Sequence, residues 1–207
     1  MRIGGYVPCS LSDFPGRIAA VVFTQGCNWR CPWCHNPALV YPEKFTEPIS
    51  VATILGRLAA RRGKLDGVVV SGGEPTLHGG LAAFLTEVKR FGFATKLDTN
   101  GSHPEVVRTL LDARLVDFVA MDIKAPWPRY AEAVGTPVNA ALLVETLTLL
   151  RERGAPHQLR TTRWPGLTDD DDAEIEKLAN GSPHIWQDFR PAPAPSLPAQ
   201  PIQSRRL

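Results

Sequence analysis

Short apolar runs alternate with longer amphipathic stretches along most of the chain. Six of these runs are β-branched and almost continuously apolar, which is typical of strands buried on both faces. They predict β-strands at IAAVVFT (18–24), GVVVS (67–71), ATKLD (94–98), DFVAMDI (117–123), HQLRTT (157–162) and HIWQDF (184–189). The stretches between them predict α-helices at residues 50–62, 79–91, 104–114, 139–153 and 170–179.

Several predicted helix ends carry capping signals. Thr168 precedes four aspartates and is the expected N-cap, because acids in a first turn complement the helix dipole. This helix start explains the aspartates better than a metal site does. Gly154 and Gly181 stand where C-terminal caps belong.

Strands and helices that alternate in this way predict parallel strands joined by right-handed crossovers. Eight such repeats would close a barrel, and the chain has room for about six. We therefore expect an α/β fold, an incomplete (β/α)6 TIM-like barrel rather than a flat doubly wound sheet. In either fold the functional edge lies where strands end. The most informative sequences fall there: the cysteine loop, SGGEPT, DTNG and DIKAP.

The composition of the 207 residues predicts one domain over residues 1–190. The proline-rich segment 191–207 is expected to be an extended or disordered tail. A formal charge of +2 gives no indication of nucleic acid or an anionic membrane as partner. There is neither an apolar run of about 20 residues nor an apolar stretch near the start typical of an export signal, so we expect a cytoplasmic protein.

Three of the four cysteines lie in GCNWRCPWCHN (26–36), with the spacing C-x3-C-x2-C. Thiols stay reduced in the cytoplasm, so a metal site is favoured over disulfides. Three thiolates can bind three irons of a 4Fe–4S cluster and leave the fourth open, unless Cys9 closes it. A structural zinc ion, a C-x-x-C redox pair and a haem attachment site are the alternatives from this loop alone.

When SGGEPT, DTNG and DIK are added, the chain resembles the radical S-adenosylmethionine (SAM) superfamily. The segment DFPGRIAAVVFTQGCNWRCPWCHNP (13–37) is similar to the opening of anaerobic ribonucleoside-triphosphate reductase activating proteins, which are glycyl-radical-enzyme activases. Pyruvate formate-lyase activases look like more distant relatives. The resemblance covers roughly residues 1–190.

The resemblance implies that Cys27, Cys31 and Cys34 bind a 4Fe–4S cluster whose open iron chelates SAM. Trp33 would lie near the adenine, with a core aromatic beneath the loop as the alternative. Glu74 would meet the methionyl ammonium. The implied cofactor-binding residues are Trp33, His35, Gly72, Gly73, Glu74, Asp98, Asn100, Asp122, Lys124 and Arg160.

Two of these implied roles concern space and charge. Gly72 and Gly73 would let the backbone approach the methionine moiety, because neither has a Cβ. In the pyruvate formate-lyase activases, the equivalents of Asp98, Thr99 and Asp122 help to hold a monovalent cation, which we also expect here. Cys9 is then expected to be a buried small residue or an incidental thiol.

The activity implied is that of a radical SAM oxidoreductase. It would cleave SAM reductively to a 5′-deoxyadenosyl radical and abstract a hydrogen from a glycine of a partner, the anaerobic ribonucleoside-triphosphate reductase. A one-electron donor such as flavodoxin or ferredoxin would reduce the cluster. The alternatives are an enzyme like 7-carboxy-7-deazaguanine synthase, acting on a small molecule, and a structural module stabilised by zinc or a cluster.

Overall fold

A single sheet organises the chain. The computed structural model describes residues 1–190, so the tail predicted at 191–207 lies outside the described residues. The seven strands are β1 (Ile3–Ser10), β2 (Ala19–Thr24), β3 (Gly67–Gly72), β4 (Ala94–Thr99), β5 (Phe118–Asp122), β6 (His157–Arg163) and β7 (His184–Asp188). Their order across the sheet is the same as their order along the chain.

This sequential order distinguishes the two candidate folds. A doubly wound sheet reverses its strand order at a switch point, whereas here each strand pairs with the next. Strands β2 to β7 are all parallel. The prediction of an α/β, incomplete barrel-like sheet is confirmed, and the C-terminal ends of the parallel strands meet along one edge.

The helices cover the outer face of this sheet. They are α1 (Pro37–Val40), α2 (Val51–Ala59), α3 (Leu81–Arg90), α4 (Pro104–Asp112), α5 (Tyr130–Val134), α6 (Ala140–Glu152) and α7 (Asp169–Ala179). The predicted caps are confirmed: Thr168 forms a capping box with Asp171, and Gly154 and Gly181 adopt positive φ beyond the ends of α6 and α7. No helix among residues 1–190 is long and apolar enough to cross a membrane.

Strand β1 was not predicted. Its sequence, IGGYVPCS, contains two glycines and a proline, which weaken a strand pattern. It runs antiparallel to β2 at the edge of the sheet, with irregular register between Ile3 and Gly5 and between Val7 and Ser10. Edge position explains why these residues are tolerated, since only one side of the strand needs ladder hydrogen bonds.

Apolar side chains pack on both faces of the central strands. The larger core lies between the sheet and the helices, and it includes Val68, Val70, Ile54 and Phe84. Alternate residues of β2 and β3, namely Ala19, Val21 and Val69, form a small second cluster on the inner face with Phe14 from the β1–β2 connection. The inner face becomes polar toward the carboxyl ends of the strands, where the candidate site lies.

Candidate functional site

One cavity opens where the parallel strands end. It brings together most of the predicted site residues, with Trp33, His35 and Glu74 outside its lining. The residues around it are Cys27, Trp29, Cys31, Cys34, Val40, Ser71, Gly72, Gly73, Asp98, Thr99, Asn100, Asp122, Lys124 and Arg160.

The cysteine loop is held in shape by its own backbone and by α5. The Arg30 amide donates to the Val134 carbonyl at 2.8 Å, and the Arg30 side chain donates to the Cys27 carbonyl at 2.7 Å. The Cys34 amide donates to the Cys31 carbonyl at 3.1 Å, which makes a tight turn between two of the thiols. The loop therefore presents its three thiols to the cavity from a defined backbone.

The three thiols fit the cysteine end of a 4Fe–4S cluster. All are free and half-buried. Burial raises the pKa of Cys27 to about 11 and also raises the pKa of Cys31, so both are protonated when no metal is bound. Among residues 1–190, no three His, Cys, Asp or Glu side chains are placed to hold a single metal ion. Soft thiols along one wall are the ligand set that iron–sulfur clusters take.

A polar wall of the cavity begins with Asp98, near the end of β4. Its Oδ2 accepts from Ser71 Oγ at 3.0 Å and from Arg160 Nη1 at 3.1 Å, while its Oδ1 accepts from the Lys96 ammonium. The Asp98 and Lys96 side chains are only 10% and 5% exposed. Asp98 is therefore a fixed carboxylate at the rim of the cavity.

Asp122, at the end of β5, continues this wall. Arg160 bonds its Oδ1 through Nε at 3.0 Å and Nη2 at 2.9 Å, and the Lys124 ammonium lies 3.1 Å from its Oδ2. Burial alone would raise the pKa of Asp122, but Arg160 and Lys124 outweigh it and lower the pKa to about 2. Arg160 is thus a cavity residue and not a surface arginine.

Glu74, for which a contact with the methionyl ammonium is predicted, makes its observed hydrogen bonds within the chain. Its side chain is fully buried and accepts from Thr76 (amide 3.1 Å, hydroxyl 2.6 Å), from the Thr99 hydroxyl at 2.8 Å and from the Asn100 amide at 2.7 Å. Burial raises its pKa although these donors oppose the shift. Because its lone pairs face its own chain, Glu74 joins the loop after β3 to the loop after β4.

The glycine pair also serves the chain itself. A Cβ on Gly73 would lie 2.0 Å from the Gly26 carbonyl oxygen, and one on Gly72 would lie 2.4 Å from the Thr24 amide nitrogen. Gly72 further has a φ of +112°, which side chains disfavour. Both residues line the cavity, but the space that their missing Cβ atoms leave is filled by the cysteine loop and β2 rather than left for a methionine group.

Trp33 and His35 lie outside the cavity lining. Trp33 stacks on Trp164 with ring centroids 6.0 Å apart, and its Nε1 donates to the Ala133 carbonyl at 2.9 Å. This supports the packing alternative, in which the aromatic ring fixes the loop. His35 is exposed and faces the ring of Phe189, at 6.0 Å between centroids. The Lys124 ammonium, a group of the cavity lining, lies 5.0 Å from the centroid of the Trp33 ring, so Trp33 borders the cavity through Lys124. Contact of Trp33 and His35 with the cofactor stays a prediction.

Cys9 lies far from the other thiols. It is exposed near the end of β1, where Ser10 pairs with Ala19 at the start of β2. Cys27 follows the opposite end of β2, so the length of the strand separates them by about 15–20 Å. Of the two expectations for Cys9, its exposure excludes a buried small residue and agrees with an incidental thiol. The exposed thiol also has no route to close a cluster at Cys27.

The expected monovalent cation does not fit this wall. Each carboxylate oxygen of Asp98 and Asp122 already accepts from a cationic side chain. The Thr99 hydroxyl is also engaged, since it donates to Glu74 and accepts from the Gly101 amide at 3.1 Å. The sequence reasoning overlooked Lys96, although its place two residues before Asp98 puts both side chains on one face of β4.

Residues 21–180 match the sequence profile of the Radical SAM superfamily. This chain belongs to the radical SAM superfamily. The superfamily implies an enzyme with a 4Fe–4S cluster and SAM as cofactors, and the thiol wall and the polar wall of the cavity fit these two groups.

Curated relatives of this radical SAM protein are named as activating enzymes. This chain is 34% identical over 178 residues to MJ1227 of Methanocaldococcus jannaschii. The name of MJ1227 assigns that protein provisionally to the glycyl-radical enzyme activating enzymes. The match covers 83% of this chain and 72% of the relative. It is 33% identical over 176 residues to the pyruvate formate-lyase-activating enzyme of Streptococcus mutans, covering 79% of this chain and 65% of that one.

A solved structure with the same fold is SuiB of Streptococcus suis bound to S-adenosylmethionine. Its TM-score to this radical SAM protein is 0.69, at 14% identity. The match covers 84% of this chain and 41% of SuiB. At this identity the likeness establishes the fold alone.

Proposed function

We propose that this radical SAM protein activates a glycyl-radical enzyme by removing a hydrogen atom from the Cα of one glycine of its partner. One observation carries the proposal: three thiols of a single loop and polar residues of β3 to β6 line the same cavity. The names of its relatives supply the reaction class, since they are activating enzymes for glycyl-radical or pyruvate formate-lyase partners.

The residues divide between holding the cluster and orienting SAM. The thiolates of Cys27, Cys31 and Cys34 would bind three irons. When bound, the cluster and SAM together supply one-electron chemistry that ends in hydrogen-atom abstraction. Lys124 and Arg160 carry positive charge on the cavity wall and suit the carboxylate of SAM. Asp98, in the cavity lining, suits its ribose hydroxyls. The Asn100 side chain also lines the cavity, where its amide donates to Asn28 and its oxygen accepts from Ser102.

The protein's contribution under this proposal is placement rather than acid–base catalysis. Asp122 is paired with Arg160 and Lys124 and has a pKa of about 2, so it is not poised to accept a proton near neutral pH. Hydrogen-atom abstraction requires no general base. The charged groups instead fix one orientation of the bound molecule against the thiol wall.

For the target, we propose the anaerobic ribonucleoside-triphosphate reductase, with flavodoxin or ferredoxin as electron donor in the cytoplasm. Support comes from the likeness of segment 13–37 to the activating proteins of that reductase. Pyruvate formate-lyase is the second candidate, because the match to its activating enzyme in Streptococcus mutans reaches 33% identity.

The test offers both partners to the same enzyme. Reconstituted, reduced protein is mixed with SAM and either partner under anaerobic conditions, and the glycyl radical is recorded by electron paramagnetic resonance. We expect the signal with the reductase, and not with Cys34→Ala or with a reductase whose radical-bearing glycine is alanine.

The other outcomes separate the alternatives. A signal with pyruvate formate-lyase alone would keep the activase and change its target. Cleavage of SAM without a signal on either partner would contradict the activase and favour a small-molecule substrate, as in enzymes like 7-carboxy-7-deazaguanine synthase. Absence of cleavage from a fully loaded cluster would favour the structural module.

A further inference from the structure

A lysine ammonium approaches the cavity wall from behind. Lys96 lies on β4 between neighbours that are apolar, because its register partners are Val69 on β3 and Phe118 on β5. Its side chain is 5% exposed, and its ammonium bonds the Oδ1 of Asp98. Burying a lysine among apolar side chains is costly unless its charge is compensated, so the pairing with Asp98 requires an explanation.

The cationic side chains along this wall outnumber the two carboxylates that they pair with. Lys96, Asp98, Arg160, Asp122 and Lys124 follow one another with alternating sign, which gives three positive and two negative groups. Asp98 would keep Ser71 and Arg160 as donors even without Lys96. Lys96 therefore adds a unit of positive charge behind Asp98 rather than completing a minimal ion pair.

We propose that the Lys96 ammonium is a built-in substitute for a monovalent metal ion, which makes the cavity independent of sodium and potassium. Such an ion binds through oxygen ligands. Here each carboxylate oxygen of Asp98 and Asp122 already bonds a cationic side chain, so a metal ion on it would lie beside a like charge. The Thr99 hydroxyl bonds Glu74 and the Gly101 amide. A further cation would raise the balance to four positive against two negative charges.

This role makes Lys96 a positioning residue. It borders a second, adjoining cavity with Asp13, Gln158 and Arg160 and does not line the cavity of the thiols. It acts on a bound molecule only through Asp98, whose orientation it fixes. The inference rests on the proposed function in one respect, that SAM is the molecule which Asp98 orients.

The experiment removes the lysine charge and asks whether a metal ion takes its place. Full-length protein, reconstituted with iron and sulfide, is studied as wild type and Lys96→Met, in chloride salts of potassium, sodium or tetramethylammonium at one ionic strength. The readouts are the melting midpoint and the affinity for SAM by equilibrium dialysis. Lys89→Met is the matched control, because Lys89 pairs with Asp117 on the surface, away from the cavity.

For the wild type, and likewise for Lys89→Met, we expect the melting midpoint and the affinity for SAM to be independent of the salt. In tetramethylammonium, Lys96→Met should melt about 6–20 °C lower than the wild type. It should also bind SAM about tenfold more weakly there or worse. Sodium or potassium should restore several degrees of the midpoint and part of the affinity.

Two results would overturn the proposal. One is a wild type that is selectively stabilised by sodium or potassium, since a metal ion would then bind beside Lys96. The other is a Lys96→Met protein indifferent to the choice of cation, since Lys96 would then be a structural ion pair. If Lys96→Met fails to fold, sodium-23 magnetic resonance of the wild type decides: line broadening that potassium competes away refutes the proposal, and its absence supports it. Neither readout depends on forming a glycyl radical.

Discussion

The glycine pair at the end of β3 is where single atoms matter most for the shape of the site. The nearest atoms to the missing Cβ groups belong to the backbone of Thr24 and Gly26, and backbone cannot swing aside as a flexible side chain can. Gly26 is the first residue of the cysteine loop and directly precedes Cys27. The spacing between this loop and β3 is therefore set by the absence of two methyl groups.

Gly73→Ala should push the cysteine loop away from β3. Its Cβ would lie 2.0 Å from the Gly26 carbonyl oxygen, so we expect the free energy of unfolding to fall by about 1–3 kcal/mol and the iron content after reconstitution to decrease. Chemical denaturation and iron analysis measure the two effects. Gly79→Ala is the matched control, because nothing lies within 4 Å of its Cβ position. Equal behaviour of the two variants would contradict this account of the glycines.

Glu74 shows how a motif can be recognised while the contacts of its residue within the chain are not. The sequence SGGEPT indicates the end of a strand, and the resemblance to radical SAM proteins implies that Glu74 contacts the methionyl ammonium. Neither reveals that Thr76, Thr99 and Asn100 supply four hydrogen bonds to the carboxylate. Two of those residues lie about 25 positions away along the chain, so their convergence depends on the register of β3 against β4.

At the level of elements, periodicity predicted most of the fold. Strand β3 was expected at 67–71 and is Gly67–Gly72, and helix α6 was expected at 139–153 and is Ala140–Glu152. These elements are buried on one or both faces, so their apolar patterns are strong. Strand β1 was not predicted because it contains two glycines and a proline, which weaken its strand pattern. Its pairing with β2, rather than its own sequence, stabilises its extended conformation.

Helix α7 depends on its capping box. Thr168 accepts from the Asp171 amide at 3.3 Å, and the Asp171 carboxylate accepts from the Thr168 amide at 2.9 Å. Thr168→Ala should therefore lower the free energy of unfolding by about 0.5–2 kcal/mol, as measured by chemical denaturation. Thr168→Ser keeps the hydroxyl and should lose much less. If Thr168→Ala and Thr168→Ser have the same free energy of unfolding, the hydroxyl of the capping box does not contribute to stability.

For the whole molecule, the sequence could predict which residues gather at the cavity but not how they pair. Cys27, Asp98, Asp122 and Lys124 all follow or end strands, and a parallel sheet brings such positions to one edge. The pairing of Arg160 with both carboxylates joins β6 to β4 and β5, and it depends on side-chain directions within a curved sheet. In that geometry, with Lys96 buried beside Asp98, each oxygen of the two carboxylates bonds a cationic side chain.

The central claim is that Cys27, Cys31 and Cys34 hold a cluster with one open iron that engages SAM. The most direct measurement is the formation of 5′-deoxyadenosine from SAM by protein that has been reconstituted with iron and sulfide and then reduced. Wild type and Cys9→Ala should form it, and Cys34→Ala should not. A loaded cluster that leaves SAM intact, or activity lost in Cys9→Ala and kept in Cys34→Ala, would contradict the account.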